Sequence, residues 1–516
     1  MARSRWPDHH HVHALPPAGI PSETGPMRRN PAADTAEVTA RTMPPTETAA
    51  TEPHPAPGGA VLWPLYVGAF LATYMFSVSN IAIPAVKTAL GAGDSASALV
   101  VGLFSAAFAS GLILCGRIDD RFGRRRLFTL GTAALVVVSV AVGLAPGPAE
   151  LLIARTVQGF AAAVMMPQIL ASIQHALTGA ERLKAISLFG AFSGVGTVGG
   201  QVIGGGLISA FGDEWGWRAA FLSCGVVALA AFLGSLRLTE SRTPDPAPLD
   251  LIGAALLGIG MVGLVIGLAL GPVTGWVPLP AGLLVLSALA LGAFAVWQSV
   301  AEARVRDPLI PPQVVRAPAA WVGMIMSFVF FGGFGTFLFN FALTSQTGHS
   351  DPAYVSGLTL GLFAASFLIV SLLVPRVVRR LSGPGTMLLG TGMQTLGLLG
   401  VAWVADAAGR DFNLWIQLPG FVLGAGQALQ FGPLVGTVVS AVPDRVAGLS
   451  GGLIATMQQA GIAVGVALLG ALFHVFTARF GYDDAFALAS LTQIALSLIF
   501  GAGALVLLRV HRAGAA

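Results

Sequence analysis

Residues 115–128 read CGRIDDRFGRRRLF, so two aspartates and five arginines crowd directly behind the uncharged run Leu99 to Leu114. An apolar run of roughly 20 residues is what a helix needs to cross a hydrocarbon layer ~30 Å thick. The charge begins where such a helix would leave the bilayer, and a second apolar run starts at Leu127. This stretch therefore reads as a short polar turn between two membrane-crossing helices.

Working outward, the same alternation repeats along the chain. Apolar spans fall near 62–86, 97–117, 127–146, 150–173, 185–209, 219–237, 250–271, 278–299, 319–343, 354–375, 385–405, 413–437, 448–474 and 486–508, which makes fourteen helices. Pro84, Pro146 and Pro443 are read as breaks between them. The fold class is all-α and integral to the membrane. With 10% charged and 55% hydrophobic residues and a mean hydropathy of +0.78, the chain falls far below the roughly 25% charge of soluble domains. A β-barrel would show alternating segments of ~10 residues, and the sequence has none. Cys115 and Cys224 lie in or beside apolar spans, implying neither a disulfide framework nor a metal site. Residues 1–58, rich in Pro, Thr, Ala and Glu, read as a disordered tail without the apolar core of a signal peptide. Their His9, His10, His11 and His13 read as incidental, and no metal is expected.

Basic residues orient the spans. Outside the tail, nearly all Lys and Arg fall on the side of the 117–126 turn, and only Lys87, Arg218, Arg410 and Arg479 fall on the other. Both termini are therefore expected in the cytoplasm, with the chain multi-pass in the plasma (inner) membrane.

The chain also repeats itself. Pro375-Arg376-Val377-Val378-Arg379-Arg380-Leu381-Ser382-Gly383 follows an apolar helix as Gly116 to Gly123 does, about 260 residues earlier. The fifth and thirteenth spans are both glycine-rich, at Gly194 to Gly206 and Gly448 to Gly465. Two pseudo-symmetric six-helix bundles at 59–245 and 318–509 are expected, with an inserted hairpin at 246–300, a cytoplasmic linker at 301–317 and a short tail at 510–516.

Gly116-Arg117-Ile118-Asp119-Asp120-Arg121-Phe122-Gly123-Arg124-Arg125 resembles the cytoplasmic loop signature of the major facilitator superfamily. Arg155-Thr156-Val157-Gln158-Gly159 resembles its fourth-helix motif, and Gly200-Gln201-Val202-Ile203-Gly204-Gly205 its fifth-helix antiporter motif. Asn80-Ile81-Ala82-Ile83-Pro84 and Leu249-Asp250-Leu251-Ile252-Gly253 resemble first- and seventh-helix motifs of the fourteen-helix drug:proton antiporters. The resemblance spans residues 60 to 510. It departs at Gln201, where the motif has a kinking proline, and at Met75, where related antiporters carry an acid.

What the resemblance implies is a multidrug efflux carrier that exports lipophilic or amphipathic molecules by alternating access and proton antiport. A carrier for one metabolite and a non-transporting membrane sensor are the alternatives. No catalytic constellation sits at a span end, so no enzyme is expected. The expected partners are a small-molecule substrate and the lipid bilayer, not nucleic acid. A monomer is expected, with no cofactor and the proton gradient as energy source.

Several residues are candidates on physical grounds. An aspartate at a helix C-terminus opposes the helix dipole. Asp120 therefore needs a partner such as Arg121 or Arg124, and with Gly116, Gly123 and Arg125 it would form a conformational latch. Arg155 is the one charge well inside a span, which costs at least ~2.5 kcal/mol, so it should face the interior and pair with Gln158; with Gln158 and Gly159 it is expected to relay coupling or contact substrate, the alternative being a structural residue bonded to backbone carbonyls. Gly196, Gly200 and Gly204 form a stripe that lets helices pack closely, with Gln201 and Gly205 alongside. Amides and aromatics suit a large apolar ligand, and Asn80, Gln168, Phe334, Asn340, Gln346, Gln427, Gln430 and Gln458 are expected to line the cavity. No Asp or Glu lies near mid-span.

Overall fold

The computed structural model describes residues 62–240, 249–276, 278–304, 309–310, 317–407, 409–440 and 447–515. These residues are helical almost throughout and form fourteen helices long and apolar enough to cross a membrane. They are α1 (Trp63–Leu90), α2 (Ser95–Ile118), α3 (Arg124–Gly143), α4 (Pro148–Ala176), α5 (Lys184–Gly212), α6 (Glu214–Ser235) and α7 (Leu251–Pro272), followed by α8 (Leu279–Val300), α9 (Pro318–Gly348), α10 (Ala353–Leu381), α11 (Gly383–Ala407), α12 (Phe412–Val438), α13 (Gly452–Phe480) and α14 (Tyr482–Val510). The tail at 1–58 and Pro443 lie outside the described residues, as does most of the linker.

Two local expectations change. Pro84 does not end α1, which continues to Leu90 and closes on Gly91 in the left-handed region. The proline costs only the bond its missing N–H would have made, and neighbouring helices in a membrane protein tolerate that loss. Between α5 and α6 there is no loop. The two are joined through Gly212, whose φ of 73° only a glycine adopts readily. The last helix runs beyond its span to Ala515.

The repeat seen in sequence is a repeat of packing. A Cβ at Gly196 or Gly200 of α5 would overlap the carbonyls of Phe70 and Tyr74 of α1, and Gly461 and Gly465 of α13 meet Phe328 and Gly332 of α9 in the same way. Likewise Gly159 of α4 abuts the Phe104 carbonyl of α2, and Gly424 of α12 abuts that of Phe363 of α10. Small residues let backbones approach where lipid offers no hydrophobic drive for association.

The halves meet along two seams, α2 with α13 and α5 with α10. The inserted hairpin α7–α8 lies against the first seam, with Val265 of α7 and the Ala463 carbonyl of α13 both near Gly102 of α2. Its outer helix exposes Val285, Leu289 and Val296, a surface suited to lipid. Asp250 fixes the hairpin by accepting from Gly253 N at 2.7 Å, Trp297 Nε1 at 2.8 Å and Gln298 Nε2 at 2.9 Å. Gln298 in turn accepts from Ile310 N in the linker at 3.1 Å.

Candidate functional site

The end carrying the 117–126 turn is called the basic end, and the opposite one the far end. At the far end α5 and α10 seal against each other. A Cβ on Gly205 would overlap the Ala353 carbonyl, and one on Gly357 the Gln201 carbonyl. Tyr354 N donates to Ser209 Oγ at 3.1 Å, and Gln346 Nε2 crosses to the Ile81 carbonyl of α1, also at 3.1 Å. Toward the basic end the arrangement reverses. Gly190 and Gly194 of α5 have open space within 4 Å of where a Cβ would stand, and Leu188, Phe192 and Val195 are exposed. Between these levels Phe334 of α9 faces Phe76 of α1, with ring centroids 6.1 Å apart.

Gln201 is buried at the seal, where it lines a narrow cleft with Thr197, Leu338, Leu360 and Phe363. Its Nε2 has no hydrogen-bond partner among the described residues. Backbone angles stay helical at Gln201, so α5 has no kink there. Gly204 packs on Ile81 and Val78, completing the glycine stripe against α1.

Arg155 is fully buried inside the first half. Its Nε donates to the Val100 carbonyl at 3.0 Å, and Nη1 donates to Gln158 Oε1. Gln158 donates onward to Ser139 Oγ at 2.9 Å. The guanidinium lies 4.2 Å from the Phe104 ring centroid and 5.5 Å from that of Phe221, while Nη2 has no hydrogen-bond partner among the described residues. The pairing with Gln158 stands. Arg155 is enclosed by α2, α3 and α6, and Gly159 serves the α2–α4 approach.

Three of the amides expected to line one cavity make hydrogen bonds inside the bundles. Asn80 donates to the Phe76 carbonyl of its own helix at 2.9 Å. Gln168 donates to the Cys115 and Val164 carbonyls at 3.3 and 3.2 Å, and Gln430 donates to Thr391 Oγ1 at 3.2 Å. Asn340 and Gln427 are buried within the second half, and Gln458 is half-buried. Asn80, Gln168 and Gln430 thus bond a nearby backbone or hydroxyl, whereas both side-chain polar atoms of Asn340 and the Oε1 of Gln427 have no hydrogen-bond partner among the described residues. Only Gln346 and Phe334 reach across between the halves. Phe330, Phe337, Phe341, Phe363, Phe431 and Phe486 stack as the core of the second half.

At the basic end Gly123 takes a φ of 97°, and the Glu240 carboxylate occupies the place a Cβ would need. Arg125 N donates to Glu240 Oε1 at 3.2 Å, and Arg125 Nη2 to the Leu236 carbonyl at 2.8 Å. Arg126 Nε lies 3.7 Å from Glu240 Oε2. The start of α3 is thereby held to the end of α6. The side chains of Asp119 and Asp120 lie outside those described, Arg121 is exposed, and Arg124 is half-buried. Gly116 does not enforce a close approach, because Pro167 would lie at an ordinary 3.7 Å from its Cβ. Sequence reasoning missed Glu240, whose role shows only when the end of α6 meets the turn.

The sequence matches the Major Facilitator Superfamily over residues 65–258 and 251–466. The chain belongs to that superfamily. The puromycin resistance protein pur8 of Streptomyces alboniger is 34% identical, covering 79% of this chain and 80% of that one. The probable actinorhodin transporter of Streptomyces coelicolor is 30% identical over 77% and 69% of the two chains, and a multidrug resistance protein of Mycobacterium tuberculosis, Stp, is 29% identical over 79% and 74%. Among solved structures, a POT family transporter in complex with 5-aminolevulinic acid superposes with a TM-score of 0.63 at 13% identity, covering 85% of this chain and 94% of that one. The nucleoside transporter NupG gives 0.59 at 11% identity, covering 86% and 99%. These structural likenesses speak for the fold.

One further cluster of this major facilitator protein was not foreseen. α9 ends in a π-turn at Thr344–Gly348, and the connector from that turn to the first residues of α10 is tied down within the second half. Asp351 Oδ2 accepts from Asn413 Nδ2 at 2.6 Å and from Ser345 Oγ at 2.9 Å. His349 Nε2 lies 2.8 Å from Asp483 Oδ1, and its ring stacks on Phe412 with centroids 4.6 Å apart. These residues are far apart in sequence and belong to no motif.

Proposed function

We propose that this protein exports lipophilic or amphipathic small molecules, drugs and antibiotics among them, by alternating access driven by proton antiport. The observation that carries this reading is the one-sided seal: α5 and α10 touch at the far end, while Gly190 and Gly194 face open space toward the basic end. A chamber open at one end and closed by a few backbone contacts at the other is one of the two poses that rocking bundles alternate between. The positive-inside rule puts the basic end and both termini in the cytoplasm of a plasma (inner) membrane, so the pose is the one that loads cargo from inside. Resistance and export proteins among the relatives support drugs as that cargo. Phe76 and Phe334 meet between the halves with ring centroids 6.1 Å apart, an apolar contact suited to parting around a ligand that needs few directed hydrogen bonds. The substrate and the lipid bilayer are the only partners this mechanism requires, and a single chain holds both halves of the chamber.

The test is flux in proteoliposomes. A lipophilic dye loaded on the basic side should leave against its gradient when a pH gradient is imposed and stop when it is collapsed. Export that persists unchanged after collapse would reject proton coupling, and no movement of any lipophilic compound across a broad panel would reject the substrate class.

A further inference from the structure

Proton-driven export needs a titratable group that changes the gate, yet the sequence places no carboxylate near mid-span. The far-end connector supplies one. Its residues face two ways. Gln346 and Tyr354 close the seal against α1 and α5, while His349 and Asp351, between them, anchor the same segment to α14 and α12. Whatever loosens the anchors therefore loosens the seal.

We propose that His349 is the proton-binding residue of the far gate, and that its protonation from the outer solution closes that gate. This rests on the export reading above, and in particular on the far end facing outward. Two contacts favour the charged ring. Asp483 stands 2.8 Å from Nε2, where an imidazolium gains Coulomb energy, and the Phe412 ring lies parallel to the imidazole at 4.6 Å, an arrangement that attracts a cation. Histidine is the side chain whose charge ordinarily changes between about pH 5 and 8. The side chains of His349 and Asp483 are 15% and 45% exposed, while the facing Nε2 and Oδ1 atoms themselves are covered, so a proton reaches the ring when the gate opens and is held there when it closes.

Among the described residues, the other charged and titratable groups at this end are Asp484 and Tyr482 at the start of α14, Asp411 before Phe412, Asp351 on the connector, Tyr354 of α10, Asp406 near the end of α11, Arg479 at the end of α13, Lys87 on α1, Glu150 at the start of α4, and Glu214 and Arg218 of α6. Of these, Asp351 is already satisfied by Ser345 and Asn413. After cargo leaves outward, the ring takes up one proton from outside, gains one positive charge and pairs with Asp483, which favours the pose seen here; when the gate reopens the proton returns to the same outer solution, so His349 sets the gate and a different group must carry the proton across.

Spin labels on Trp215→Cys and Leu414→Cys, exposed positions at the far ends of α6 and α12, report the gate by pulsed dipolar spectroscopy. In liposomes the wild-type ratio of closed to open should rise about threefold to fivefold from pH 8 to pH 5, the size of one partly exposed ion pair. His349→Gln should lose that response, His349→Lys should hold the gate closed at both pH values, and Asp484→Asn should behave as wild type. A His349→Gln protein with the full acid response, or a His349→Lys protein that still responds, overturns the inference. Dye export separates the two readings. If wild type exports under a pH gradient but His349→Gln shows the wild-type pH profile, the gate inference fails alone. If wild type exports nothing while its far gate still closes with acid through His349, the export reading fails alone.

Discussion

Asp250 gives the sharpest quantitative test, because its carboxylate accepts three hydrogen bonds from atoms that are separately identifiable. Oδ1 takes Gly253 N and Trp297 Nε1, and Oδ2 takes Gln298 Nε2. Asp250→Asn keeps an acceptor toward the first two and turns an amide donor on the third. One bond is lost, costing about 1–2 kcal/mol at a part-buried site. Asp250→Ala removes all three. The helix cap contributes ~1 kcal/mol and the two charge-assisted bonds ~1–2 kcal/mol each, so about 3–5 kcal/mol is expected. Detergent unfolding followed by a thiol-reactive dye measures the difference, because the protein's two cysteines, Cys115 and Cys224, are buried thiols outside any disulfide and react only once the bundle opens. Alanine should cost about 2–3 kcal/mol more than asparagine. Equal losses for the two variants would mean that charge rather than bond count holds the hairpin, and an alanine loss below ~1 kcal/mol would mean that the clamp contributes nothing beyond the cap.

Other outcomes follow from the site. Arg155→Met should insert and fold at a cost of about 2–4 kcal/mol, since it loses two charge-assisted bonds while relieving an unpaired buried charge, and should slow dye export at least tenfold; undiminished export would leave Arg155 a packing residue. Gly123→Ala places a side chain at φ 97° and against Glu240; a loss of ~1–3 kcal/mol in the same unfolding assay is expected, and a neutral result would contradict the tight turn. Glu240→Gln should speed protease cleavage of the 117–126 turn without altering insertion, and unchanged cleavage would show that the turn does not depend on this carboxylate. Asp120→Asn should slow turnover with insertion intact, and normal transport would remove it from the latch.

How much of this was legible in sequence differs by element. The helix count was legible because a membrane span must be long, apolar and uncharged, which is a local property of the chain. The Gly196–Gly200–Gly204 stripe was legible too, because four-residue spacing puts small residues on one helix face. The hydrogen-bond partners of the amides were not. Periodicity tells which side of a helix a glutamine occupies, but not whether its neighbour is a chamber or the backbone carbonyl of another helix, and Gln168 and Gln430 turned out to face neighbouring helices. Arg155 and Gln158 were found because one turn separates them. Glu240, Asn413 and Asp483 were missed because their partners lie on other helices.

Composition and spacing by themselves determined that this chain crosses the membrane fourteen times, that its halves repeat, and that its charge gathers on one face. The cause is the bilayer, which tests each segment separately. Tertiary structure alone decided where α5 and α10 close on each other, which side chains meet there, and that Asn413 and Asp483 on two other helices converge on the sealing segment. Those contacts depend on how whole helices lean on one another, and that information is spread over hundreds of residues rather than held in any one stretch.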